Sequence, residues 1–112
     1  MSLLFLGREK RSQSRVVGDF DLTYGYGEDD QRMTTGIEIS ESGLRFRSEG
    51  GFASGQKLFI QLLSTDEEVP STIEVEVKHS TSDCVGAEFV GVTKSGKAAI
   101  LKLLQSLSEI NR

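Results

Sequence analysis

The chain has one cysteine, one histidine, one proline and no tryptophan, and each scarcity removes a class of protein. A lone Cys84 forbids an intrachain disulfide, and with His79 as the one imidazole no Cys/His zinc site can be assembled. The default reading of Cys84 is a buried, inert thiol. Long apolar runs are also missing: Leu3-Leu4-Phe5-Leu6 is far short of the roughly 20 residues that span a bilayer, and too short for the apolar region of a signal peptide. The expectation is a cytoplasmic protein. A basic surplus is missing as well, since 13 Lys and Arg stand against 17 Asp and Glu for a net charge of −4. A general nucleic-acid binder would carry a broad basic surface instead.

Catalytic constellations are equally scarce. His79 has no GxSxG nucleophile motif and no Asp at a fixed spacing, so it reads as a surface histidine at a strand end. Glu74 and Glu76 share a strand face, which is the pattern of a solvated surface rather than an acid/base pair. Gly91-Val92-Thr93-Lys94-Ser95-Gly96-Lys97-Ala98 nearly spells a phosphate-binding loop, but Ala98 stands where a magnesium-holding hydroxyl is required. No enzyme, metal site or cofactor is expected.

What remains is the material of one domain: 112 residues, 37% of them hydrophobic, with the core drawn from Val, Ile, Leu and Phe. Apolar residues recur at a period of two in Gly18 to Tyr26 and again in Met33 to Ser40, where Ile37 and Ile39 share one face and Glu38 and Ser40 the other. Leu44 and Phe46 alternate with Arg45 and Arg47. Lys57 to Leu63, Ile73 to Lys78 and Val85 to Val92 supply three further strands, joined by a turn at Pro70 and another over 80–83. Ile100, Leu103, Leu104 and Leu107 then fall at helical spacing after a capping region at Thr93 and Ser95, so a helix running to about Ile110 covers a face or mouth of the sheet. Many short strands and a single helix predict a mostly β barrel or sandwich rather than a parallel sheet.

Charge is unevenly placed. Arg8, Lys10, Arg11 and Arg15 face a single Glu9, whereas Asp19, Asp21, Glu28, Asp29 and Asp30 make the following stretch acidic. Residues 1–17 therefore read as a flexible basic arm on a body of residues 18–112. Arg11 and Arg15 are four apart in a segment too polar for a core. Each guanidinium fork can hold phosphate oxygens or guanine O6 and N7 and can stack on a base; a solvated arm is the plainer reading of the pair by itself. A complement lies at Glu38 and Ser40, whose carboxylate and hydroxyl face outward together, followed by Gly43, which permits a turn at positive φ.

Arg11, Arg15, Glu38, Ser40 and Gly43 spell RxxxR followed by ExSxxG, which resembles the RxxxR…[D/N]xSxxG signature of PilZ domains. Gly43-Leu44-Arg45-Phe46, Val85-Gly86-Ala87-Glu88-Phe89 and the closing helix are similar to the family's order of elements, so the likeness covers nearly the whole chain from Arg11. It implies a six-stranded antiparallel β-barrel with one C-terminal α-helix, binding cyclic di-GMP without turnover. It further implies that Arg11 and Arg15 grip phosphates and guanines, that Glu38 meets a guanine edge, that Ser40 meets a phosphate and that Gly43 shapes the turn. Arg8 and Lys10 are candidates for auxiliary contacts, and the arm from Arg8 to Val17 for a switch that presents a surface to a protein effector. Glu38 departs from the pattern by one methylene, which bears on affinity and not on fold. The alternative the family offers is an adaptor of pilus or motility machinery that binds no nucleotide.

Overall fold

The computed structural model describes residues 15–27, 29–49, 51–63 and 71–110. Arg8, Lys10, Arg11, Leu3 to Leu6 and Pro70 lie outside them. Six strands follow one another as β1 (Val16–Gly27), β2 (Asp30–Ile39), β3 (Gly43–Arg47), β4 (Lys57–Leu62), β5 (Thr72–Ser80) and β6 (Cys84–Gly91), and α1 (Lys94–Ile110) ends the chain. The strands close an antiparallel barrel in the order β1-β2-β3-β6-β5-β4, with β4 pairing back onto β1. The mostly β barrel with one helix expected from the periodicities is therefore the fold.

Alternation explains which side chains enter the barrel. Leu58, Ile60 and Leu62 of β4, Ile73, Val75 and Val77 of β5, and Val85 and Ala87 of β6 are buried, while their neighbours face out. Phe46, Leu22 and Ile39 are among the largest side chains fully withdrawn from water, each contributing about 1.5–3 kcal/mol by its burial. Tyr24 packs on Phe46 with ring centroids 5.0 Å apart and meets Phe52 edge-on at 6.0 Å.

β1 and β2 are longer than their apolar alternation. They pair from Val16↔Ile39 out to Gly27↔Asp30, where polar residues hold the hairpin: Gln31 Nε2 donates to Gly27 O at 2.7 Å and Thr23 Oγ1 to Gln31 Oε1 at 2.6 Å. These bonds are made by side chains that a hydrophobic period does not register.

α1 begins where Thr93 Oγ1 accepts from Gly96 N at 3.1 Å, an N-cap bond to the third helical residue. Ala99, Ile100, Leu103 and Leu107 form its buried stripe and join the barrel interior in one core. A glycine in the first turn, Gly96, lies against Ile73, so the helix start sits at the opposite end of β5 from His79. Among the described residues no helix is long and apolar enough to cross a membrane.

Of the register shifts along the strands, two bear on the site. Gly36 pairs with Phe46 and Glu38 with Arg45, so β2 carries one extra residue at Ile37. In β5, Val77 pairs with Ala87 and His79 with Gly86, leaving Lys78 as the extra residue. A bulge re-aims the side chains around it. Ile37 and Ile39 consequently do not share a face as strict alternation predicts: Ile39 is fully buried and Ile37 half-buried, and Gly36, not Ile37, joins Ile39 inside. Lys78 and His79, adjacent in sequence, are both exposed.

Candidate functional site

Both bulges border the same depression. A groove of about 380 Å³ on the outside of the barrel is lined on one side by Arg15, Glu38, Ser40 and Gly43 and on the other by Arg45, Lys78, His79, Gly86 and Glu88. Four of the five expected binding residues thus converge, and the fifth, Arg11, lies outside the described residues. Arg15, Arg45 and Lys78 line the groove with three cations and Glu38 and Glu88 with two carboxylates, and Glu76, beside the lining, pairs with Lys78.

Arg15 stands at the rim, immediately before β1. Val17 pairs with Glu38, which sets Arg15 over the carboxylate with Nη1 and Oε1 4.0 Å apart. The arginine is 73% exposed and the glutamate 17%. An ion pair this long and wet is worth about 0–1 kcal/mol, so it holds the guanidinium near the groove without committing its donors. Glu38 owes its position to the bulge at Ile37, because an unbroken alternation from Gly36 would turn it into the core.

Ser40 is 8% exposed and closes the β2–β3 turn. Its N–H donates to Gly43 O at 2.8 Å, its Oγ accepts from Ser42 N at 3.2 Å, and Ser42 Oγ lies 3.1 Å away. The hydroxyl borders the groove and orders the turn at once. Gly43 is required for a different reason from the expected one. Among the described residues the positive-φ positions are Gly51 and Gly55, not Gly43. Gly43 begins β3 against β6, and a Cβ there would stand 2.3 Å from the carbonyl oxygen of Ala87. The residue is a glycine because two backbones approach closely.

The far wall escaped the motif reading. Arg45 projects from β3 opposite Glu38, Gly86 follows on β6 and His79 on β5. Lys78 is held by carboxylates on two strands, with Nζ 3.0 Å from Glu76 Oε2 and 3.5 Å from Glu88 Oε1. The hydrogen bond and charge of Lys78 lower the pKa of Glu76 below the ordinary carboxylate value, and the same bond to Glu76 raises that of Lys78. Alternation marks Arg45 and Lys78 as outward-facing but cannot bring β3 beside β6, which closure of the barrel alone does.

A profile of the PilZ domain matches residues 9–106. The chain belongs to the PilZ domain family. No curated protein matches this PilZ domain in sequence, but solved structures share its fold. One is the Bacillus subtilis inhibitor of motility MotI/DgrA, at TM-score 0.68 and 21% identity over 94% of this chain and 56% of that one. Another is the PilZ domain of YcgR from Escherichia coli with c-di-GMP, at TM-score 0.68 and 10% identity over 93% and 95%. A third is the K. pneumonia MrkH–c-di-GMP complex, at TM-score 0.65 and 15% identity over 88% and 52%. This PilZ domain spans about half the length of MotI/DgrA and of MrkH and nearly all of the YcgR domain.

Other candidate chemistry resolves into structure. The near phosphate-binding loop is the end of β6 and the first turn of α1, with Thr93 spent on the cap. Cys84 is half-buried rather than buried, at the start of β6, with Sγ 3.4 Å from Thr81 Oγ1. Among the described residues no group of three His, Cys, Asp or Glu is placed to hold a metal ion.

Proposed function

We propose that this PilZ domain is a cytoplasmic, non-catalytic receptor that binds cyclic di-GMP in the groove and passes the signal to a protein effector controlling motility, biofilm formation or a related behaviour. The observation that supports it is the convergence of Arg15, Glu38, Ser40 and Gly43 on one groove, which Arg45 and Lys78 also line. In this reading Arg15 and Arg11 supply bidentate donors to phosphate and guanine. Glu38 accepts from the guanine N1–H and N2–H edge, Ser40 meets a phosphate, and Arg8 and Lys10 add charge. The solved PilZ domain of YcgR and the MrkH complex, whose fold this chain shares, hold c-di-GMP.

The same arrangement gives a signalling mechanism. Val16 and Val17, the last residues of the basic arm, are already strand, paired with Ile39 and Glu38. A ligand drawing Arg11 and Arg15 onto the groove would order the segment that leads into β1, and partner affinity would change if the partner contacts differ between the two states. Calorimetric titration with cyclic di-GMP, with GTP and cyclic AMP as controls, tests the reading. Selective, saturable binding that is nearly abolished in Arg15→Ala and falls in Arg11→Ala is expected. Wild-type affinity in Arg15→Ala overturns the site, and no binding by the wild-type chain leaves the adaptor role.

A further inference from the structure

A single row of paired residues crosses the outside of the barrel beneath the groove: Val17 of β1, Glu38 of β2, Arg45 of β3, Gly86 of β6 and His79 of β5. Every position in it carries a side chain except Gly86. Arg45 and His79, both exposed, therefore flank a strip of bare backbone and stand two strands apart, about 9.6 Å at the backbone. An added Cβ at Gly86 would meet His79 Cβ and Cδ2 at 3.8 Å, an ordinary contact, so packing does not demand the missing side chain. Elsewhere in the site a glycine is enforced by collision, as at Gly43; at Gly86 a side chain would meet no collision.

The chemistry of the strip is specific. β6 lies between β3 and β5, so its N–H and C=O groups are occupied by ladder bonds and offer little to a phosphate or a sugar hydroxyl. What the strip presents is a flat, weakly polar surface between two planar groups, a guanidinium and an imidazole. Flat-faced cations and aromatic rings are the side chains on which bases stack. The bulge at Lys78 turns His79 out of the core and into the groove. Without that extra residue the alternation continuing from Val77 would point the imidazole inward.

We infer that Gly86, Arg45 and His79 form a slot for the flat face of a nucleobase, making Arg45 and His79 specificity-determining contacts that none of the signature residues supplies. This rests on the reading of the groove as a nucleotide site. The division of labour is then spatial: Arg15 and Lys78 face phosphate, Glu38 reads a base edge, and the slot holds a base by its face. The slot acts through stacking, so an uncharged aromatic ring can replace His79.

Titration with cyclic di-GMP of wild type, Gly86→Val, His79→Ala, His79→Phe and Arg15→Ala separates the claims. His79→Ala is expected to weaken binding about fivefold to a hundredfold, the loss of one base–aromatic stack, while His79→Phe keeps near wild-type affinity. Gly86→Val fills the slot and weakens binding at least as much, yet keeps or raises the thermal midpoint, because a β-branched residue suits a strand. Wild-type affinity in both Gly86→Val and His79→Ala, with binding lost in Arg15→Ala, overturns the slot and leaves the receptor reading standing. His79→Phe as weak as His79→Ala overturns the stacking role. Should Gly86→Val unfold, the two His79 variants decide. Absence of binding in the wild-type protein overturns the receptor reading and the slot together.

Discussion

In the proposed receptor, Glu38 is the residue on which affinity is expected to turn. Its carboxylate is largely shielded, yet among the described residues its ion pair, with Arg15, is 4.0 Å long, so that pair leaves acceptor sites open. Shortening the side chain by one methylene keeps both oxygens and the charge while drawing them toward the strand. Glu38→Asp is therefore expected to bind cyclic di-GMP as tightly as wild type or more tightly, measured as the dissociation constant by calorimetry. A tenfold loss would show instead that the groove is shaped around the longer acid. Ser40 and Gly43 do not lend themselves to so clean a test, since one orders the turn through Ser42 and the other clears the Ala87 carbonyl. Substituting either disturbs the β2–β3 turn along with any ligand contact.

At the scale of elements, the outer surface of β5 is an electrostatic strip as well as a wall of the groove. Glu76 has its pKa lowered by Lys78, so its contribution is present above the unfolded-state value and lost as pH falls through the folded one. Lys78 has its pKa raised, chiefly by Glu76, so its contribution is present below its unfolded-state value and lost as pH rises through the folded one. The pair is at full strength across the neutral range. Removing the cation with Lys78→Met is expected to move the Glu76 titration upward, read from its side-chain carboxyl resonance; an unmoved titration would mean that the contact does not persist in solution. Because Lys78 is the bulged residue, its neighbour His79 shares its face, and the strip and the slot are built by one irregularity.

Taken as one molecule, the barrel places its site and the start of its covering helix at opposite ends of β5. The start of α1 lies against Ile73 at one end of β5, and His79 opens onto the groove at the other, while the helix's buried stripe joins the barrel core. A ligand that binds only the folded barrel stabilises all of it, by about 2.7 kcal/mol at a hundredfold excess over the dissociation constant. For a domain of this size that corresponds to a rise in thermal midpoint of about 10 °C or more. Cyclic di-GMP is expected to produce that rise and GTP is not. A midpoint unmoved by saturating cyclic di-GMP would contradict binding to the native state.

By itself the sequence determined the strand and helix periods, the inward sets such as Ile73, Val75 and Val77, the Thr93 cap and the RxxxR and ExSxxG residues, because each is a local matter of spacing along one chain. The ends of β1 and β2 were not legible, since hairpin pairing and the bonds of Gln31 carry those strands beyond their apolar pattern. Nor was the reason for Gly43, which depends on the backbone of Ala87 far along the chain. The bulges at Ile37 and Lys78 were hidden for the same cause: an extra residue exists only relative to a partner strand. Only the tertiary structure brought β3 against β6 and β6 against β5, and with them Arg45, Gly86 and His79 across from Arg15 and Glu38. Register is set by closing the barrel around its core, and no stretch of the chain encodes it alone.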